Sequence, residues 1–162
     1  MREEHPVTKQ RQVSTTRVIP ADRQALFDLV ADPRQHPVID GSGTVIGVRA
    51  GLPDRLSLDA TFVMDMQHGT SYRIMNRVVE FVEGERIAWR HFHGHRWRYD
   101  LRDVDGGTEV TETFDWSTAK ARLALQLAGY PKRNLVSMRA TLARLEELAL
   151  TGTVGDHIDD VA

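Results

Sequence analysis

Residues 85–117 read ERIAWRHFHGHRWRYDLRDVDGGTEVTETFDWS, and the register of this stretch decides the fold. Asp105-Gly106 lies between two strand-like runs. Such a pair signals a two-residue hairpin, predicted as a type I′ turn with positive φ at both central positions. Counting outward pairs Val104 with Gly107, Leu101 with Val110, Tyr99 with Glu112 and Trp97 with Phe114 on one face. On the other face Arg102 meets Glu109 and Arg96 meets Asp115, and opposite charges landing together support the count. A three-residue loop at Phe92-His93-Gly94, with glycine in the left-handed position, extends the register to a third strand. Ile87 then faces Tyr99, Trp89 faces Trp97, and His91 faces His95. One face of the sheet is thus aromatic with a single carboxylate, Glu112. The other carries Arg90, Arg96, Arg98, Arg102, Glu109 and Asp115. That is a half-buried antiparallel sheet with a solvated outside.

Working toward the N-terminus, Glu83-Gly84 marks another turn after a strand predicted over Ser71–Val82. A three-residue loop ending at Gly84 pairs Val79 with Ile87, Arg77 with Trp89 and Met75 with His91, which turns Arg77 inward. A two-residue loop instead turns Val78 and Glu80 inward, and a bulge would switch the parity midway. Before the turn at His68-Gly69, residues Leu56 to Gln67 read as a strand with Phe62, Met64 and Met66 on one side. Thr44 to Ala50 reads as a shorter one, preceded by a Pro- and Gly-bearing loop over 34–43 that has room for one helical turn. Gln12 to Ile19 alternates as a first strand. Pro20-Ala21-Asp22 then opens a helix carrying Leu26, Phe27, Leu29 and Val30, which Asp32-Pro33 stops.

Toward the C-terminus, Ser117 is a candidate N-cap for a helix over Thr118–Ala128. Gly129-Tyr130-Pro131 interrupts it, and Pro131 suits a fresh helix start. From Lys132 to Leu150 the residues Leu135, Met138, Leu142, Leu145 and Ala149 form one apolar stripe, opposite Arg133, Arg139, Arg144 and Glu147. A long amphipathic helix needs a surface to cover, and the aromatic face of the sheet is the large one on offer. The reading is therefore an α+β fold with a curved antiparallel sheet wrapped around a long C-terminal helix. Residues 12–150 form a single domain, between a flexible N-terminus over 1–11 and a flexible tail over 151–162.

The chain has 162 residues, 41% hydrophobic and 27% charged, which suits an ordinary globular domain. Its formal net charge of −2, with arginines dispersed along strands, argues against nucleic acid as a partner. The lack of cysteine excludes a disulfide framework, a thiolate nucleophile and Cys-ligated zinc. No apolar run reaches the roughly 18 residues of a membrane span, so stable membrane insertion is not expected. The N-terminal hexapeptide lacks the apolar core of a signal peptide, and the expected location is cytoplasmic.

The motifs Trp97-Arg98-Tyr99-Asp100-Leu101, Asp105-Gly106-Gly107-Thr108, Val110-Thr111-Glu112-Thr113-Phe114 and Phe27-Asp28-Leu29-Val30-Ala31-Asp32-Pro33, with the element order and length, resemble the SRPBCC superfamily over Val13–Leu150. That group includes START-type lipid-binding domains and polyketide cyclase/dehydrase-like proteins. The resemblance implies a helix-grip (START-like) fold with a cavity between sheet and C-terminal helix. Because that fold hosts carriers, enzymes and co-chaperones alike, it does not select an activity.

The expected cavity wall is Phe62, Met64, Met75, Trp89, Trp97, Tyr99, Glu112, Phe114 and Trp116 from the sheet, with Leu135, Met138 and Leu142 from the helix and Tyr130 at the mouth. An apolar lining with a few polar groups is how small-molecule sites are built, although aromatic stripes also simply pack. Enclosed in such a wall, Glu112 needs a partner or a raised pKa. It would orient a hydroxyl or ketone of a ligand, or shuttle a proton in an aldol-type cyclisation or dehydration, or else only hold the strand.

Three functions follow. The first is carriage or sensing of a small hydrophobic ligand, lipid or polyketide-like. The second is a cyclase/dehydrase-like enzyme without a cofactor, drawing on Glu112, Tyr99, His91 and Arg77 as acid-base groups. The third is a ligand-free interaction or co-chaperone module. No metal is expected: His91 and His95 face each other, but no third ligand is specified. Gly41 to Gly47 precedes a strand, the wrong order for a dinucleotide loop, and reads either as a flexible cavity entry or as an ordinary loop, with His36, Asp40 and Tyr130 as a candidate rim. Edge strands and the helix over 118–128 offer surface for a homodimer.

Overall fold

The protein was analysed as a computed structural model that describes residues 11–49 and 51–155. The expectations for residues 1–10, for Ala50 as a strand end and for 156–162 lie outside the described residues. Strand β1 (Gln12–Ile19) leads to helix α1 (Arg23–Ala31), whose first turn is capped by Asp22 accepting from the Ala25 amide at 2.9 Å. A 3-10 turn over Pro33–Gln35 and the short helix α2 (His36–Ile39) follow, filling the loop that had room for one turn. A meander then runs through β2 (Val45–Val48), β3 (Thr61–His68), β4 (Thr70–Val82), β5 (Arg86–His91), β6 (Arg96–Val104) and β7 (Gly107–Asp115). Two helices end the chain, α3 (Arg122–Leu127) and α4 (Tyr130–Thr151).

The seven strands form one antiparallel sheet in the order β1-β7-β6-β5-β4-β3-β2. The first strand therefore closes beside the last, and α1 with α2 crosses from one sheet edge to the other. Of the stripe expected on α4, Met138, Leu142 and Leu145 are buried and Leu135 and Ala149 half-buried, with Leu148 buried in place of Ala149; Leu142, Leu145 and Leu148 pack with Ile19, Leu26, Phe27, Val30, Ile87 and Val110. Burial of that stripe is what holds so long a helix, since propensity alone supplies little.

The β6–β7 register is the one counted from the hairpin, including Tyr99 opposite Glu112 and Arg102 opposite Glu109. The turn itself differs. Gly106 and Gly107 take positive φ (90° and 146°), whereas among the described residues Asp59 is the one non-glycine that does, so Asp105 does not adopt the left-handed geometry of a type I′ turn. A side chain at Gly107 would place its Cβ 2.1 Å from the Ile19 carbonyl oxygen, because the end of β1 runs against this turn.

Three further expectations are corrected. In β4 the register shifts between Val78 and Glu80: Phe81 faces Ile87, then Val78 faces Trp89 and Asn76 faces His91. This is the parity switch by bulge, with Val79 the extra residue. It turns Arg77 and Met75 outward, against the pairing that put them inside. The strand begun at Leu56 starts instead at Thr61, because Leu56 is buried and its amide bonds to the Ala31 carbonyl at the end of α1. The helix begun at Thr118 starts at Arg122, and Ser117 is not its cap. Thr118 is drawn away to the β5–β6 hairpin, its hydroxyl donating to the Gly94 carbonyl at 2.7 Å, while the Lys120 amide donates to His93 at 3.1 Å.

Candidate functional site

Glu112 lies at the centre of the inner face, 3% exposed, and Tyr99 beside it is 4% exposed. The cross-strand pairing that sets them opposite each other lets the Tyr99 hydroxyl donate to Glu112 Oε1 at 2.9 Å. The other oxygen, Oε2, is buried without a hydrogen-bond partner. Burial pushes the Glu112 carboxyl up to about 8; the Tyr99 bond pulls the other way, and the charge of Asp40 adds to the rise. Burial and the neighbouring Glu112 raise the Tyr99 phenol well above its ordinary range, which keeps it a donor. The pair can therefore present a neutral acid and a fixed phenol near pH 7, or a carboxylate at modest cost just above it.

An aromatic chain extends from this pair across the interior. Trp89 stacks on Tyr99 (centroids 5.6 Å apart), His36 stacks on Trp89 (4.9 Å), and Phe62 sits edge-on to both His36 and Trp89 (5.5 and 5.8 Å). His36 is thus core and not rim. Its Nε2 pairs with the Val30 carbonyl at 2.8 Å, and burial lowers its pKa. Met64 and Leu142 belong to the same core, while Phe114, Trp116 and Met138 form a second, smaller cluster joined by half-buried Trp97.

Of the expected wall, then, Phe62, Met64, Trp89, Tyr99, Glu112, Phe114, Trp116, Met138 and Leu142 are buried, and Trp97 and Leu135 are half-buried. Tyr130 is exposed at the start of α4, with the Arg133 guanidinium 4.5 Å from its ring centroid. Met75 is 59% exposed, and Arg77 points outward to Asp59 at 2.7 Å. Neither belongs to the interior, and Arg77 cannot act on Glu112.

His91 is buried and His95 half-buried, their rings stacked 4.5 Å apart at 15°, with His93 stacked on His91 at 5.2 Å. Burial, and then the neighbouring imidazoles, lower His91 to about 3; burial and His93 lower His95 to about 4. Stacked neutral rings present their nitrogens side by side instead of toward one point. Among the described residues no group of three His, Cys, Asp or Glu side chains is placed to hold a metal ion.

The glycine-rich stretch after α2 is an ordered loop. Asp40 accepts from the amides of Ser42, Thr44 and Val45 at 3.0–3.1 Å and from the Ser42 hydroxyl. The Gly41 amide donates to Thr141 Oγ1 of α4 at 2.9 Å, and a Cβ at Gly41 would lie 2.4 Å from the Ser137 carbonyl oxygen. This pinning places Asp40 near enough to bear on Tyr99 and Glu112, a role the sequence reading missed. The run Asp40-Gly-Ser-Gly-Thr carries the signal, since an Asp followed by small polar residues is a side-chain-to-backbone turn. Two concavities are present: one of about 540 Å³ beside Arg86, Asp100, Arg102 and Glu109, and one of about 320 Å³ beside the β5–β6 hairpin that Asn76, His91 and Arg90 help to line; neither is lined by Glu112 or Tyr99. Among the described residues no helix is long and apolar enough to cross a membrane.

No family model matches the chain. An uncharacterized protein of Mycobacterium tuberculosis, Rv0088, is 38% identical over 141 residues, covering 83% of this chain and 62% of the relative. The chain thus spans about three-fifths of the length of the curated relatives it matches. Among solved structures, ginseng major latex-like protein 151 from Panax ginseng superposes with a TM-score of 0.67 at 13% identity, over 86% of this chain and 97% of that one. The di-domain ARO/CYC StfQ from the steffimycin biosynthetic pathway gives a TM-score of 0.65 at 12% identity, over 86% of this chain and 50% of that one.

Proposed function

Taking as premise that the chain has the helix-grip fold of the SRPBCC superfamily, we propose that it binds a small, largely apolar molecule between the sheet and α4, with Glu112 and Tyr99 as its polar anchor. One observation carries the reading: Glu112 Oε2 is buried and unpartnered beside a fully buried tyrosine. A buried polar atom left unpaired costs about 1–3 kcal/mol. A ligand hydroxyl or carbonyl placed against Oε2 would recover it. Phe62, Met64, Trp89, Phe114, Trp116, Met138 and Leu142 are the apolar surroundings of that guest. On this reading access would run by the α3–α4 elbow: Leu135 of α4 and Trp97, which packs in the cluster that includes Met138 and Leu125, are only half-buried, and Tyr130 is exposed. Burial, and then the nearby Tyr130 phenol, raise the Tyr72 phenol of β4. The aromatic chain fills much of the interior, so a guest enters by displacing half-buried side chains at this end and not the His36–Trp89–Tyr99 stack.

A second reading is favoured by the raised pKa of Glu112. An acid that titrates near neutrality, fixed by a phenol donor, suits proton transfer to or from a ketone, as a cyclase or dehydrase-like enzyme requires. Native mass spectrometry of the protein purified from its own cell tests the binding reading. A mass increment of a small molecule that is reduced in Glu112→Gln is expected. A bare mass, together with no binding of an apolar fluorescent probe inside the grip, would leave an interaction module as the better account. Turnover of the co-purified molecule that Glu112→Gln abolishes would select the enzyme; altered affinity without turnover would select the carrier.

A further inference from the structure

The outer face of the sheet is ordered by charge, and one row breaks the order. Arg86 faces Asp100 and Arg102 faces Glu109, each with an ion pair between them. In the odd row, Arg77 of β4 faces Arg90 of β5, which faces Arg96 of β6, and an acid, Asp115 of β7, follows only beyond Arg96. Directly opposed side chains on neighbouring strands are about 5 Å apart at Cβ, where like charges repel. Arg77 is answered from one side by Asp59 at 2.7 Å. Arg96 reaches Glu80 only at 3.8 Å, and its Nε is buried without a partner. Arg90, in the middle, is exposed and makes no ion pair or side-chain hydrogen bond with any described residue.

The concavity of about 320 Å³ opens on this row. Arg77, Arg90 and Lys120 supply its charge, exposed Met75 and Phe92 its apolar wall, and none of its lining residues is acidic. The Lys120 ammonium is likewise without a partner among the described residues. We infer that this groove binds the phosphoryl group of a small organic phosphate. A guanidinium fork donates paired charge-assisted hydrogen bonds to a tetrahedral oxyanion, and the compact lysine charge adds to them. A dianion matches the surplus of cations better than a single carboxylate does. Phe92 and Met75 would cover the apolar part of the molecule. The groove opens beside the β5–β6 hairpin, with buried Asn76 and His91 at its floor, and neither Glu112 nor Tyr99 lines it.

Calorimetric titration of the full chain with phenyl phosphate, inorganic phosphate and benzoate tests the assignment. Saturable binding of phenyl phosphate is expected, tighter than either of the others and weakening with salt. Arg90→Gln should lower that affinity about tenfold, while Glu112→Gln should leave it unchanged. Because Arg90 is exposed, its replacement keeps the fold, and relief of the repulsion should raise the melting temperature without phosphate by about 1–3 °C. No saturable binding by about 10 mM, or equal binding by Arg90→Gln, overturns the site. Inorganic phosphate binding as tightly as phenyl phosphate overturns the part given to Phe92 and Met75, and benzoate doing so overturns the choice of a phosphoryl group.

Discussion

Glu112 concentrates the tension of the structure in one side chain. Its carboxyl titrates at about 8 in the fold against an ordinary 4.5, because burial disfavours the charge more than the Tyr99 bond favours it. Below pH 4.5 the group is protonated in both the folded and unfolded chain and has no net effect. Between 4.5 and 8 the unfolded chain is ionised while the fold holds the proton, so stability falls as pH rises, and the loss levels off above 8. By pH 7 it amounts to roughly 3 kcal/mol. Glu112→Gln, which keeps an oxygen to accept from Tyr99, should therefore melt several degrees higher than wild type at pH 7 and no higher at pH 4. Equal melting temperatures at both pH values would contradict the burial argument. Tyr99→Phe removes the bond at Oε1 and should cost about 1–3 kcal/mol; denaturant unfolding measures it.

At the scale of elements, the sequence was legible wherever alternation and a turn residue agreed. The β5–β6–β7 register, the limits of β1, the end of α1 at Asp32 and the middle of the α4 stripe, Met138 to Leu145, followed from period and punctuation, while Leu148 and not Ala149 is the buried residue at its end. What failed were places where a tertiary contact outweighs a local signal. Ser117-Thr118 looks like a helix start, but the Thr118 hydroxyl is taken by Gly94. The β4 bulge leaves no mark in the sequence, because Val78 and Val79 are equally apolar and only packing on Trp89 selects one. That single extra residue decided that Arg77 and Met75 lie outside. The loop after α2 shows the same effect in its glycine. Gly41→Ala would drive a methyl into the backbone of α4 at Ser137 and Thr141, and should destabilise by about 1–3 kcal/mol, read as a lower melting temperature.

Across the whole molecule the two faces of one sheet carry different chemistry. The inner face joins α4 in an apolar grip around a lone acid, and the outer face is a lattice of ion pairs with one row of three neighbouring arginines, of which the middle one is unmatched among the described residues. The alternation of strand side chains makes both from the same residues, so the count that placed Glu112 inside also placed Arg90 outside. The functional proposals stand on these two departures from a satisfied structure, an acid without a second partner and a cation without any. A titration of the Glu112 side-chain carboxyl followed by carbon-13 NMR addresses the first of them. A midpoint near 8, falling outside the band of the other glutamates, is the expected result; a midpoint close to 4.5 would mean that the acid meets water, and that the grip encloses no anchor for a guest.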